Sequence, residues 1–126
     1  EGLWWGRQET GDFSGEPPET WNWQLIIRVP DFIKEADLKA AIKQLKVKGK
    51  GDHAGRVRLE KITEGKCVQM LHVGPYGEER RTIGQMLEYA RAQGLNFSGR
   101  HHEIYLSHPR RVPAARLRTI LRHPVK

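Results

Sequence analysis

Glu103 and Tyr105 are the residues of this chain whose types and spacing most plainly offer chemistry. They lie two positions apart in His101-His102-Glu103-Ile104-Tyr105-Leu106-Ser107, a stretch that reads as a strand. Side chains of a strand alternate between its faces, so Glu103 and Tyr105 share a side with His101 and Ser107, about 6.5–7 Å apart along the chain. A carboxylate beside a phenol, wrapped in aromatic rings, loses water. Its pKa then rises and it becomes a general base near neutral pH. Left ionised, it attracts organic cations, and neighbouring rings add cation–π contact. The competing structural reading pairs Glu103 with Arg110 or Arg118. Glu103 is the single acid among residues 100–126, against seven lysines and arginines.

Aromatic residues supply the rest of a candidate site. Trp4 and Trp5 are neighbours in an apparent strand and point to opposite faces, so one of them at most lines a given wall. Tyr76 follows Gly74-Pro75 at a strand-to-helix turn, where a ring can project into a cleft or pack over the helix start. Trp21 and Trp23 share one face and are expected in the core. Aromatic walls with few polar groups are the usual composition of a small-molecule site. Metal binding is not expected, because His101 and His102 point to opposite sides of one strand, and Cys67 and His72 lack a second ligand pair. Cys67, amid apolar residues, reads as an inert core thiol. No nucleophile elbow or phosphate-binding loop appears, so no cofactor is implied.

Periodicity places these residues on elements. Trp21, Trp23, Leu25, Ile27 and Val29 alternate up to Pro30 as a half-buried strand, after a polar loop over residues 6–20. Leu38, Ile42 and Leu45 stripe a helix over 35–47, ended by Lys48-Gly49-Lys50-Gly51-Asp52. Residues 56–63 and 67–73 read as a hairpin turning at Glu64-Gly65. Ile83, Met86, Leu87 and Ala90 stripe a second helix from 78 to 93, with Gly94 as its C-cap. His101–Ser107 and residues 117–125 follow as strands around a turn at 108–111. Strands mixed with few helices give an α+β fold with a mainly antiparallel sheet and helices on one face.

The whole chain sets limits on these readings. Its 126 residues suit one domain, and no run of eighteen apolar residues could span a membrane. A lone cysteine fits a reducing, cytoplasmic setting. The net charge of +7 is uneven: residues 1–99 hold 15 basic and 14 acidic side chains, whereas 100–126 hold seven and one. That basic end carries no DNA- or RNA-reading motif, so only weak, sequence-independent nucleic-acid contact is expected.

His72-Val73-Gly74-Pro75-Tyr76 resembles the H-x-G-P-Y signature of GyrI-like small-molecule-binding domains. His102 to Arg111, with Leu117 to Val125, resembles the C-terminal block of one subgroup, and Glu1 to Trp5 and Pro30-Asp31-Phe32 fit it too. His108 stands where that block has Asp, and Lys34 stands where it has a Thr-type helix cap, a loss of roughly 1 kcal/mol. The resemblance implies a GyrI-like effector-binding fold of two pseudo-duplicated strand–helix–strand–strand modules. Residues 1–48 would form a partial first module and 53–126 the second. It further implies binding of lipophilic aromatic or cationic compounds for sequestration or sensing, in the manner of multidrug-responsive regulators, with Trp4, Trp5, Tyr76, Glu103 and Tyr105 at the ligand. A branch of the family hydrolyses cyclopropane-bearing DNA-alkylating natural products, a detoxification for which Glu103 would activate water and Tyr105 would stabilise the developing charge. A third implied role is modulation of DNA gyrase. Subgroup members carry a further segment before the counterpart of Glu1. Without it an open strand edge is expected at Leu3-Trp4-Trp5 or its neighbour, filled by a homodimer partner or a retained N-terminal fragment.

Overall fold

In the computed structural model, residues 1–8, 12–13 and 15–126 are described. They form two bodies, one of Glu1–Ile26 with Glu64–Lys126 and the other of Ile27–Thr63.

The first body is built on a five-stranded antiparallel sheet. Its strands are β1 (Gly2–Trp5), β2 (Asn22–Leu25), β3 (Cys67–Val73), β4 (His101–Tyr105) and β5 (Arg118–Pro124), in the spatial order β2-β1-β4-β5-β3. Helix α2 (Glu79–Ala92) packs on one face. Its Met86 and Ala90 meet Leu121, Val125 and Phe97 in the core, with Val68, Ile83 and Leu87 at the margin. Each fully buried Met or Leu contributes about 1.5–3 kcal/mol. Of the stripe expected for this helix, Met86 and Ala90 are buried and Ile83 and Leu87 partly so, and Gly94 closes the helix in the left-handed region at φ +70°.

Register carries the site. Gly2 lies opposite Glu103 and Trp4 opposite His101 across β1 and β4. Tyr105 lies opposite Thr119, which in turn faces His72 of β3. Strand β1 is paired on both sides, and among the described residues β2 and β3 are the outer strands. Strand β2 is short. Trp23 and Leu25 are 60% and 68% exposed, so the core position expected for Trp23 is corrected: side chains stand off the face of a sheet and are buried only where a second layer covers that face. The strand expected to reach Val29 stops at Leu25. Within the polar stretch 6–20, residues 9–11 and 14 lie outside the described residues, and Pro18–Thr20 form one 3-10 turn.

The second body holds α1 (Glu35–Val47), at the bounds its periodicity predicts. None of its residues is buried; the body offers only the 3-10 turn Ala54–Arg56 to pack against. The Lys34 side chain does not cap α1. Asp37 instead accepts the Lys34 backbone N–H at 2.8 Å, and the Lys34 ammonium donates to the Asp31 carbonyl. The hairpin expected between 56–63 and 67–73 does not form. Residues 57–63 have no regular structure, and β3 pairs with β5 instead. The alternation over 56–63 is weak and carries exposed charges, exemplified by the Arg58–Glu60 ion pair, whereas β5 offers β3 seven paired positions. No helix among the described residues is long and apolar enough to cross a membrane.

Candidate functional site

The helix-facing side of the sheet gathers a chain of hydrogen bonds at its β1–β4 end. Trp4 Nε1–H donates to the Tyr105 hydroxyl at 3.2 Å, and that hydroxyl donates to Glu103 Oε2 at 2.8 Å. The Tyr76 ring meets Tyr105 edge to face, with centroids 5.9 Å apart. The phenol therefore both accepts and donates, and its direction is fixed by its partners: the indole can only donate and the carboxylate can only accept. Burial first, then the Glu103 charge, pushes the Tyr105 phenol upward, so it stays protonated.

Two sequence features make this geometry possible. A Cβ at Gly2 would lie 2.9 Å from the Tyr105 hydroxyl and 3.0 Å from Trp4 Nε1. Glycine there leaves the room in which those two atoms meet. His72, buried at the end of β3, fixes the turn that presents Tyr76. Its Nε2 lies 3.2 Å from the Pro75 carbonyl, which can only accept, so Nε2 carries the proton. Nδ1 then accepts from the Thr82 hydroxyl at 2.9 Å. Gly74, at φ +140°, supplies the backbone turn. These contacts give His72, Gly74 and Pro75 a physical task in orienting the tyrosine that follows.

Of the predicted residues, Trp4, Tyr76, Glu103 and Tyr105 come together. Trp5 does not. It faces the other side of the sheet, where the Arg100 guanidinium carbon sits 4.1 Å from its ring centroid. Glu103 pairs with neither Arg110 nor Arg118 among the described residues; beyond Tyr105 its neighbour is His101 Nε2 at 3.6 Å. Ser107 instead accepts the Arg118 backbone N–H.

Sequence reasoning missed Glu79. This residue opens α2, where an acid ordinarily sits in solvent and complements the helix dipole. Here it is 6% exposed. Burial, then the nearby Glu103 charge, pushes its carboxyl up to about 8, with the Thr119 hydroxyl pulling the other way. Two consecutive acids at a helix start, Glu78-Glu79, are the only sequence signal, and it does not say which one is buried.

Behind Glu103 the same face becomes an aromatic and histidine layer. His123 stacks on Phe97 at 4.0 Å, and its Nδ1 lies 3.4 Å from His101 Nδ1. Burial and the adjacent His101 drive the His123 ring down to about 3, so it is neutral. On the opposite face, the His102 ring lies 3.0 Å from both Glu64 and Glu1, and Arg122 reaches Glu64 at 3.0 Å. His101 and His102 thus point apart, and no metal-binding cluster occurs among the described residues. Cys67 is half-buried rather than in the core, and burial pushes its thiol upward. A cavity of about 640 Å³ opens between the end of β3 and the start of α2, lined by His72, Arg80, Arg81 and Gln85 among others, and not by the Trp4–Tyr105–Glu103 chain.

No curated protein matches the chain. Three crystal structures from Listeria innocua resemble it across 99% of its length. One, described as a hydrolase, is 36% identical with a TM-score of 0.83. A second, described as an uncharacterized conserved protein, is 40% identical with a TM-score of 0.86. Another hydrolase is 38% identical with a TM-score of 0.84. This chain spans only 60–62% of their lengths. Residues 31–126 match the GyrI-like small molecule binding domain, and those residues include the turn that sets Tyr76 and the strand that carries Glu103 and Tyr105. The chain belongs to the GyrI-like small-molecule-binding family.

Proposed function

We propose that this domain binds lipophilic aromatic or cationic compounds at Trp4, Tyr76, Glu103 and Tyr105, for sequestration or sensing in the cytoplasm. The observation that carries the reading is the Trp4–Tyr105–Glu103 hydrogen-bond chain beside the Tyr76 ring. It holds a carboxylate among three aromatic side chains, and among the described residues no lysine or arginine forms an ion pair with it. A ligand cation would supply the missing charge, and the rings would add cation–π attraction of about 0.5–2 kcal/mol. The test is calorimetric titration with an aromatic cation and its neutral analogue, repeated with Glu103→Gln. Loss of cation affinity with the neutral analogue spared supports the reading. Unchanged affinity for both, with lower melting temperature only, returns Glu103 to a structural role.

A hydrolase is the second reading, favoured by the two similar Listeria innocua proteins described as hydrolases. On a cyclopropane-bearing alkylator, water would add to the ring carbon and pass its proton to Glu103. The breaking carbon–carbon bond would deliver its electron pair to the conjugated carbonyl, whose oxygen Tyr105 would stabilise by a hydrogen bond. Incubation followed by mass analysis for one added water tests it. General-base loss in Glu103→Gln should slow such a reaction roughly 10²–10⁴-fold.

A further inference from the structure

Glu79 stands out because no cation among the described residues pairs with it. It is 6% exposed. Its Oε1 is buried and, among the described residues, accepts no hydrogen bond. Facing it are Glu103 and Tyr105 of β4, Thr119 of β5 and Tyr76 of the preceding turn. The His72 ring of β3 is engaged by Thr82 and Pro75, and His101 Nε2 lies 3.6 Å from Glu103 Oε1. The Glu103 charge acts on the Glu79 carboxyl. As two carboxylates they repel; as acid and carboxylate they do not. Glu103 already accepts from Tyr105, which favours the charge on Glu103 and the proton on Glu79.

We infer that Glu79 and Glu103 act as one acid pair holding a single proton, which a lipophilic monocation seated against the Trp4, Tyr76 and Tyr105 rings displaces on binding. The inference rests on the cation-binding reading above and adds Glu79 to the site. Before binding, the pair carries one negative charge. An organic cation makes the second ionisation favourable, because each new charge then faces an opposite one. The site thereby couples ligand affinity to pH: cations bind more tightly as pH rises towards 8, and neutral analogues do not.

The first test needs no ligand. With ¹³C-labelled glutamate, carboxyl resonances of the free protein are followed from pH 3 to 10. One carboxyl should titrate near 8, disappear in Glu79→Gln, and fall towards the ordinary range in Glu103→Gln. If every glutamate titrates below pH 6, the shared proton is refuted. The second test is calorimetry with N-methylacridinium and neutral acridine at pH 7.5 in buffers of different ionisation enthalpy. Release of more than half a proton per methylacridinium, none with acridine and none in Glu79→Gln, is expected. Binding with no proton release overturns the displacement and leaves the cation reading standing. Absence of methylacridinium binding overturns the cation reading and the displacement together, while the carboxyl titration still decides the pair.

Discussion

Two buried groups with opposite shifts should give this domain a stability profile that falls on both sides of mildly acidic pH. Glu79 is raised from 4.5 to about 8, chiefly by burial and then by Glu103. Between those values the folded protein holds a proton that the unfolded chain has lost, so stability declines as pH rises. His123 is lowered from 6.5 to about 3, chiefly by burial and then by His101. Between those values the unfolded chain holds the extra proton, so stability declines as pH falls. From 4.5 to 6.5 the two slopes oppose each other and cancel. Above 6.5 only the Glu79 slope remains, at about 1.4 kcal/mol per pH unit for one proton. Up to pH 8 that would remove about 2 kcal/mol, which solvent screening at the open side of the cluster reduces to about 1–2. For a chain of 126 residues the melting temperature should drop by roughly 4–8 °C.

The basic limb is diagnostic, since acid unfolding draws on every paired carboxylate. Melting curves by circular dichroism at pH 5.5, 6.5, 7.5 and 8.5 measure it. In Glu79→Gln, which cannot ionise, the drop between 6.5 and 8.5 should shrink to a degree or two. A variant that loses stability over this range as steeply as the parent would refute the assignment of that proton to Glu79.

The same packing sets three further outcomes. Gly2→Ala should cost about 1–3 kcal/mol in urea unfolding and disturb Trp4 fluorescence, because its Cβ would press on both the indole nitrogen and the phenol oxygen. Tyr105→Phe leaves the Trp4 N–H without its acceptor and Glu103 without its donor; about 1–3 kcal/mol of stability should be lost, with the Glu79 titration moving as well. β2, an outer strand of the described sheet with Trp23 and Leu25 exposed, should drive concentration-dependent self-association in light scattering, and Trp23→Lys should suppress it.

What the sequence makes legible is what periodicity and motif spacing encode. Alpha-helical stripes place α1 and α2 within a residue of their observed ends, because apolar residues three and four apart have one geometric reading. The Glu103–Tyr105 face follows from strand alternation alone. Residues 56–63 mislead because weak alternation shows only what could pair, and β3 takes its partner from a distant segment, β5. Trp23 misleads because hydrophobicity marks a face without saying whether anything covers it. Glu79 is the largest omission. Its burial depends on the lateral register that sets Thr119 and Tyr105 side by side, under a helix start, and no local pattern encodes that contact.

Binding and hydrolysis ask different things of this acid pair. A receptor for cations needs negative charge in the resting state, so affinity should follow ionisation of the pair. A hydrolase needs Glu103 to take a proton from water as charge develops elsewhere, with Tyr105 donating to the ligand oxygen rather than to Glu103. The same rings would hold the planar part of either molecule. If both chemistries use one site, a permanent cation must occupy the place where water and the alkylator react. N-methylacridinium should then inhibit hydration of a cyclopropane-bearing alkylator competitively, with an inhibition constant equal to its calorimetric Kd. That inhibition should strengthen from pH 6.5 to 8.5 as the Glu79 proton becomes easier to displace. Inhibition that is noncompetitive, or an inhibition constant more than tenfold from the Kd, would separate the two sites and leave the Trp4–Tyr105–Glu103 chain to only one of the two activities.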